Sequence, residues 1–341
     1  MNSSQKFIFR FLLVLGTLMT ISSSSWIGMW MGLELNLLSF IPLMITSNNL
    51  NHTEAAIKYF LIQAFASMVF LFISIIYILK ISLINFMQLS YESLIINSSM
   101  MLKLGAAPFH FWLPEVIKNI SWSNSLILLT WQKLAPLTII SYFSIDKTLI
   151  VFIIMSSMVG ALGGLNQTSL QKLLAYSSIN HIGWMLTAEI HSNYLWINYF
   201  IIYAIINFSI IILFKNLNMF NINQLFFMMN SNNKNLMLKS FFFINFLSLG
   251  GLPPFLGFLP KWLVIEHLMK TNYLFLIFFM IMMNLITLFF YIRLTMSAFS
   301  LNYPSMKWNF VNLKNSKNLY FMIFMNFLNI ILFSLTLILI Y

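Results

Sequence analysis

The chain has 341 residues, 60% hydrophobic and only 7% charged, with a formal net charge of +11. Soluble domains carry about 25% charged residues, so a water-soluble fold is excluded. The 18 Lys and Arg stand singly rather than in a stripe, which argues against a nucleic-acid surface, and zero cysteines exclude disulfides, cysteine-bound zinc and iron–sulfur clusters.

A bilayer span needs ~20 mostly apolar residues. The apolar runs predict an all-α polytopic membrane protein with eleven transmembrane helices: 7–24, 26–46, 55–80, 91–118, 122–143, 148–165, 169–189, 193–216, 236–266, 273–298 and 319–340. The first run follows Lys6 and Arg10 and precedes Ser22 to Ser25, a pattern shared with signal peptides. Its reach, and the spans behind it, make it an uncleaved first helix. No Arg-rich transit peptide is expected before it. The abundance of Ile, Phe, Leu, Asn and Met, residues of A/T-rich codons, points to an organellar genome. The longest loops are 217–235 and 299–318, so a single membrane domain is expected.

The basic residues then divide by face. Lys6, Arg10, Lys58, Lys118, Lys172, Lys215, Lys234, Lys239, Arg293, Lys307, Lys314 and Lys317 fall on the side of the N-terminus. Lys80, Lys147 and Lys270 fall on the other, and Lys103, Lys133 and Lys261 lie within spans. By the positive-inside rule the N-terminus faces the cytoplasm or matrix and Tyr341 the opposite side.

Spans four and nine carry residues that a lipid anchor avoids. One contains Leu104-Gly105-Ala106-Ala107-Pro108 and then Leu113-Pro114; the other contains Leu249-Gly250-Gly251-Leu252-Pro253-Pro254 and then Leu259-Pro260. Proline lacks the N–H and clashes with the preceding turn, so both helices should break, at Gly105, Pro108 and Pro114 and at Gly250, Gly251, Pro253 and Pro254. The two lie five spans apart and cross in opposite directions. Two inverted five-helix units follow, 7–143 and 148–298, with 319–340 as an extra C-terminal helix. Paired broken helices of this kind mark a transport site near the midplane.

Ionisable residues inside a span cost ~2.5–3.5 kcal/mol each at the bilayer centre on insertion scales, so they face protein or water. Glu34, Lys103, Lys133 and Lys261 are of this kind. Glu34 is expected to pair with a lysine. Carbonyls freed at the first break are expected to solvate Lys103, and Pro136 to open the backbone beside Lys133. Lys261 follows the second break, where the adjacent Trp262 also allows it to snorkel to the interface. His181 sits in the polar run Tyr176-Ser177-Ser178-Ile179-Asn180-His181 and is a candidate proton relay. His110 follows the first break and is a weaker one. No metal-ligand spacing, phosphate loop or nucleophile–histidine–carboxylate set is present.

Three stretches carry a family resemblance. They are Lys103-x-Gly105-x-x-Pro108-Phe109-His110-x-Trp112-Leu113-Pro114, then Leu174-Ala175-Tyr176-Ser177-Ser178-x-x-His181-x-Gly183, and Gly250-Gly251-Leu252-Pro253-Pro254-x-x-Gly257-Phe258. Together they resemble the antiporter-like proton-translocating subunits of respiratory NADH dehydrogenase. Bacterial relatives typically have fourteen spans, whereas this chain resembles the eleven-span animal form. The resemblance implies a mitochondrial inner-membrane subunit, with its N-terminus in the matrix and its C-terminus in the intermembrane space. It implies proton translocation through Glu34 and its partner Lys103, the connecting Lys133, the relay His181 and the terminal Lys261. No cofactor is implied in this chain; NADH, FMN, iron–sulfur clusters and ubiquinone belong to other subunits. The implied partners are other membrane-arm subunits, accessory subunits and lipids. Two other readings use the same residues: a cation/proton antiporter subunit, or a spacer that moves no protons.

Overall fold

The computed structural model describes residues 3–45, 49–83, 89–142, 146–225 and 236–299. The eleventh expected span, 319–340, and the loop lysines 307, 314 and 317 lie outside the described residues. The described chain is helical; an isolated bridge joins Ser169 and Asn221. It divides into two compact units, Met1–Ser156 and Ser157–Tyr341.

The helices of the first unit are α1 (Ser3–Ser22), α2 (Trp26–Met44), α3 (Leu50–Leu83), α4 (Leu89–Leu104), α5 (Trp112–Lys118), α6 (Trp122–Leu129), α7 (Trp131–Tyr142) and most of α8 (Asp146–Gly164). The closest pairing is α1 on α2. A Cβ added to Gly32 would fall 2.5 Å from Thr20 Cγ2 and 2.8 Å from the Gly16 carbonyl oxygen, so glycine permits this approach. Small residues bring membrane helices together in this way because lipid supplies no hydrophobic drive between them. α3 then packs on α2, α4 and α5, and α7 on α4 and α6.

In the second unit lie α9 (Leu170–His191), α10 (Asn193–Leu217), α11 (Leu236–Gly250), α12 (Phe258–Lys270) and α13 (Leu274–Phe299). α9 contacts α10, α12 and α13, and every residue from Ser177 to Glu189 is buried. Large apolar side chains such as Phe7, Phe65, Phe72, Phe275 and Phe278 point outward, while Lys103, Lys133 and Lys261 are buried. Five described helical stretches are long and apolar enough to cross a membrane: Ser4–Ser22, Trp26–Met44, Leu50–Leu79, Asn193–Leu217 and Leu274–Met296. The chain is a multi-pass, all-helical membrane protein.

Both proline-bearing runs end a helix by the same device. α4 closes with the Gly105 N–H donating to the Leu102 carbonyl and the Ala106 N–H to that of Met101; Gly105 has φ +74°. α11 closes with the Gly251 N–H donating to the Ser248 carbonyl and the Leu252 N–H to that of Leu247; Gly251 has φ +78°. This is the Schellman cap, in which glycine takes the left-handed position without steric cost. The correspondence extends through the breaks. Ala107–Pro108 and Pro253–Pro254 are both cis, and the chain re-enters helix at Trp112 and at Phe258. The two breaks therefore match as Gly105-x-x-Pro108 with Gly251-x-x-Pro254. This shifts by one residue the pairing suggested by the shared Leu-Gly-x-x-Pro string, because Gly250 is still helical and Gly251 turns the chain.

The fifth expected span, 122–143, is also interrupted, and not at Pro136. α6 ends and α7 begins on either side of Thr130, while Pro136 lies inside α7. A proline ring clashes with the carbonyl four residues earlier, here Gln132, yet both residues lie inside α7 and the interruption falls before them. Thr130 turns the backbone (φ −115°, ψ −75°), and its hydroxyl donates to the Leu126 carbonyl at 2.7 Å.

Candidate functional site

α3 carries a polar stripe through an apolar helix. Tyr59, Gln63 and Ser67 recur every four residues, which puts them on one face. The hydroxyl of Ser67 donates to Glu34 Oε1 on α2. Gln63 Nε2 donates to the Lys103 carbonyl at 3.1 Å, and Tyr59 Oη donates to Gln132 Oε1 at 3.4 Å. Gln132 Nε2 in turn donates to Asn36 Oδ1 at 3.0 Å, returning to α2 two residues beyond Glu34. Each bond satisfies a polar group that would be expensive to leave unpaired in lipid.

Lys103, at the last turn of α4, is 7% exposed, and Lys133, in the first turn of α7, is 2% exposed. Both line one cavity of about 20 Å³, which Tyr59, Gln63, Gln132 and Trp112 also border. A water molecule needs roughly 10–15 Å³ of such space and two to four polar partners, so the cavity can hold one. Glu34 acts electrostatically on Lys103. Among the described residues, however, no lysine nitrogen lies within 4.0 Å of the Glu34 carboxylate, which accepts instead from the Ser67 hydroxyl. The freed carbonyls of the first break do not hold the Lys103 ammonium either. That of Leu102 accepts from the Trp112 indole at 3.1 Å and that of Lys103 from Gln63.

The second unit holds Lys261 differently. Its Nζ donates to the carbonyls of Leu249 (3.2 Å) and Gly250 (2.9 Å) at the end of α11 and to Asn284 Oδ1 on α13 (2.6 Å). An ammonium has three N–H donors, and all three are used. The ammonium also lies 5.9 Å from the centre of the Trp184 ring, within cation–π range. Lys261 is 4% exposed, so it does not snorkel despite its neighbour Trp262. His181 on α9 is buried, its Nδ1 2.9 Å from Tyr199 Oη, with the Tyr203 ring 5.1 Å away. His110 is buried, its Nδ1 3.2 Å from the Pro108 carbonyl.

The first unit thus brings Lys103 and Lys133 to one water-sized space with Glu34 close by. The second sets Lys261 against a broken helix and His181 among tyrosines. Sequence reasoning missed Asn36, Tyr59, Gln63, Ser67, Gln132, Asn284 and Glu189. The four-residue spacing on α3 was a readable signal. Asn284 had none, because a lone Asn in an apolar run looks like any other. Glu189 sits at the end of the apolar run and reads as a surface acid, but it is 5% exposed.

The family model described as NADH:quinone oxidoreductase/Mrp antiporter, TM, matches residues 23–287. The NADH-ubiquinone oxidoreductase chain 2 of Anopheles gambiae is 52% identical over 315 residues, covering 91% of this chain and 90% of its own length. That of Aedes aegypti is 50% identical, covering 92% and 91%. Among solved structures, a chain of respiratory complex I from Thermus thermophilus, determined with bound aureothin, superposes with a TM-score of 0.80 at 22% identity. The match covers 96% of this chain and 78% of the other.

Proposed function

Since this chain belongs to the NADH:quinone oxidoreductase/Mrp antiporter membrane family, among the NADH-ubiquinone oxidoreductase chain 2 proteins, we propose that it is a core membrane-arm subunit of a proton-pumping NADH:ubiquinone oxidoreductase. It sits in the mitochondrial inner membrane and moves protons through Glu34, Lys103, Lys133, His181 and Lys261. Quinone reduction elsewhere in the complex drives it. NADH, FMN, iron–sulfur clusters and ubiquinone are held by other subunits. Other membrane-arm subunits, accessory subunits and lipids surround it.

The observation that carries this reading is the cavity shared by Lys103 and Lys133. A buried lysine beside water can give up and regain a proton, and a second lysine on the same water can take it. Glu34 supplies the bias: moving the carboxylate toward or away from Lys103 changes how tightly that lysine holds its proton. Moving one charge against 100 mV requires ~2.3 kcal/mol, and one pKa unit corresponds to ~1.36 kcal/mol. Shifts of about two units therefore match the work. The architecture belonging to this reading is eleven spans in two inverted five-helix units plus a last helix. The twelve-to-three division of basic residues supports a matrix N-terminus and a C-terminus in the intermembrane space.

The test is the assembled complex in sealed vesicles. Proton uptake should require both NADH and quinone, and Lys103→Met should lower the protons moved per NADH while the complex still assembles. Sodium or potassium exchange without NADH would replace this reading with an antiporter. An unchanged proton yield in Lys103→Met would make the chain a spacer.

A further inference from the structure

Lys261 is the last lysine of the route above, and it has little room to move. A Cβ added to Gly251 would fall 2.8 Å from its Cδ and 3.0 Å from its Nζ, so the side chain lies tight against the cap of α11. The Trp184 ring stands on another side. The helix of Lys261, α12, packs on α9, α10 and α13. Among the described residues no carboxylate lies within 4.0 Å of Lys261 Nζ, and no titratable side chain acts on it electrostatically. The charged pair of its own helix, Glu266 and Lys270, is exposed and closed on itself. What faces the ammonium is two backbone carbonyls, an indole ring and the Asn284 amide. When a confined lysine changes charge, its partners must adapt to it.

The three acceptors are not equivalent in this respect. An ammonium has three N–H donors and no lone pair, whereas the amine left by proton release has two donors and one lone pair. The carbonyls of Leu249 and Gly250 can only accept, so they suit the two N–H groups that persist. The third position must accept from the ammonium and donate to the amine. Neither a carbonyl nor a carboxylate does both. A side-chain amide does, because it carries an acceptor oxygen and two N–H donors. Asn284 stands at that position. Its Oδ1 accepts from Nζ at 2.6 Å, while its Nδ2 donates to the Gly250 carbonyl across a long 3.4 Å. Half a turn about the Cβ–Cγ bond exchanges the two, and the Gly250 carbonyl keeps its Lys261 donor at 2.9 Å. Thr287 fits both orientations. Its hydroxyl donates to the Asn284 backbone carbonyl at 2.8 Å, and its oxygen, 3.4 Å from Oδ1, accepts from Nδ2 once the amide has turned.

We propose that Asn284 is a positioning residue for proton release at Lys261, its amide accepting from the ammonium and, turned about, donating to the amine. The inference rests on the proton-translocating reading of this chain. One N–H bond of Lys261 Nζ breaks, its electron pair stays on the nitrogen, and water takes the proton. The Asn284 Nδ2–H then meets that pair, and recharging the lysine reverses the turn. An aspartate would grip the ammonium harder, and breaking a buried ion pair leaves an uncompensated charge. A neutral amide lets the lysine cycle.

The experiment follows melting and coupled NADH turnover against pH in the assembled complex, for Asn284→Asp, Asn284→Leu and Asn284→Gln. Asn284→Asp should melt no earlier than the unaltered complex, yet turn over about tenfold more slowly near neutral pH and recover about one pH unit higher. Asn284→Leu costs the ammonium more than the amine, so its profile should move the other way. Asn284→Gln keeps an amide and should hold the profile in place. Unmoved profiles in Asn284→Asp and Asn284→Leu, with only melting changed, overturn the positioning role and leave the proton reading standing. An unchanged proton yield in both Lys261→Met and Lys103→Met overturns the proton reading itself. The two directions are opposite, so either variant decides by itself if the other fails to assemble. If neither assembles, Thr287→Val decides: it takes an acceptor from the turned amide, its profile should move upward, and an unmoved one overturns the proposal.

Discussion

The two helix breaks match residue for residue, yet their lysines stand on opposite sides of them. Lys103 precedes its break by one residue before the capping turn, whereas Lys261 occupies the position that Glu115 holds in the first break. The matching carbonyls, those of Lys103 and Leu249, both need a donor. In the first unit the neutral amide of Gln63 supplies it; in the second the ammonium of Lys261 does. The lesson is one of division of labour. Where an amide satisfies the broken backbone, the lysine is left to face a water-sized cavity. Where the lysine itself donates to the broken backbone, beside the Asn284 amide that also donates to the Gly250 carbonyl at 3.4 Å, it is held by three acceptors. The first arrangement suits exchange of a proton, and the second suits holding a charge until it is called for.

That contrast breaks first at the cavity. Lys133→Met removes one of its two lysine nitrogens, and coupled turnover should fall roughly tenfold or more, the effect of raising one barrier by ~1.4 kcal/mol. Proton uptake per NADH in vesicles checks it. At the second break, Gly257→Ala would place a Cβ 1.7 Å from the Ser248 carbonyl oxygen. Backbone must move, and the expected cost is about 3 kcal/mol, seen as loss of assembled complex on native gels. Next comes Asn284→Leu, which takes one acceptor from the Lys261 ammonium. A hydrogen bond to a charged group is worth about 2 kcal/mol, so the complex should melt earlier, and Asn284→Gln should recover part of the loss. Gln63→Leu leaves the Lys103 carbonyl unpaired in the first unit, at about 1 kcal/mol. The melting temperature of the assembled complex checks it.

The breaks were legible because glycine and proline act through the backbone, and the backbone effect is local. The buried lysines were legible because a charge in an apolar run has few bland explanations. What surrounds them was not. The hydrogen bonds of Gln63 and Gln132 join α3 to α4 and α7 to α2, between residues far apart in the chain. No local pattern announces which neutral amide faces which carbonyl. The one-residue slip in matching the breaks had the same origin. Leu-Gly-x-x-Pro recurs as a string, but the glycine that turns the chain at the second break is the second of two, and only φ distinguishes them. The interruption at Thr130 was hidden because no glycine or proline stands there.

The smallest effect is expected at the edge of the first break. Lys58 on α3 bonds Glu54 at 2.9 Å and Glu115 on α5 at 3.0 Å, so it ties the re-entering helix to α3. All three side chains are well exposed, at 41%, 57% and 58%. Exposed pairs gain little, because water and salt screen them and two long side chains must be held still. The position matters nonetheless, since Glu115 is the residue that matches Lys261. If the first break needed an ionic tie as the second does, Lys58→Ala would lower both assembly and pumping. The Schellman cap, the Trp112 indole and the Gln63 amide already satisfy the carbonyls of Met101, Leu102 and Lys103. Lys58→Ala should therefore leave melting temperature and proton yield unchanged at physiological salt, with at most a small shift at low salt.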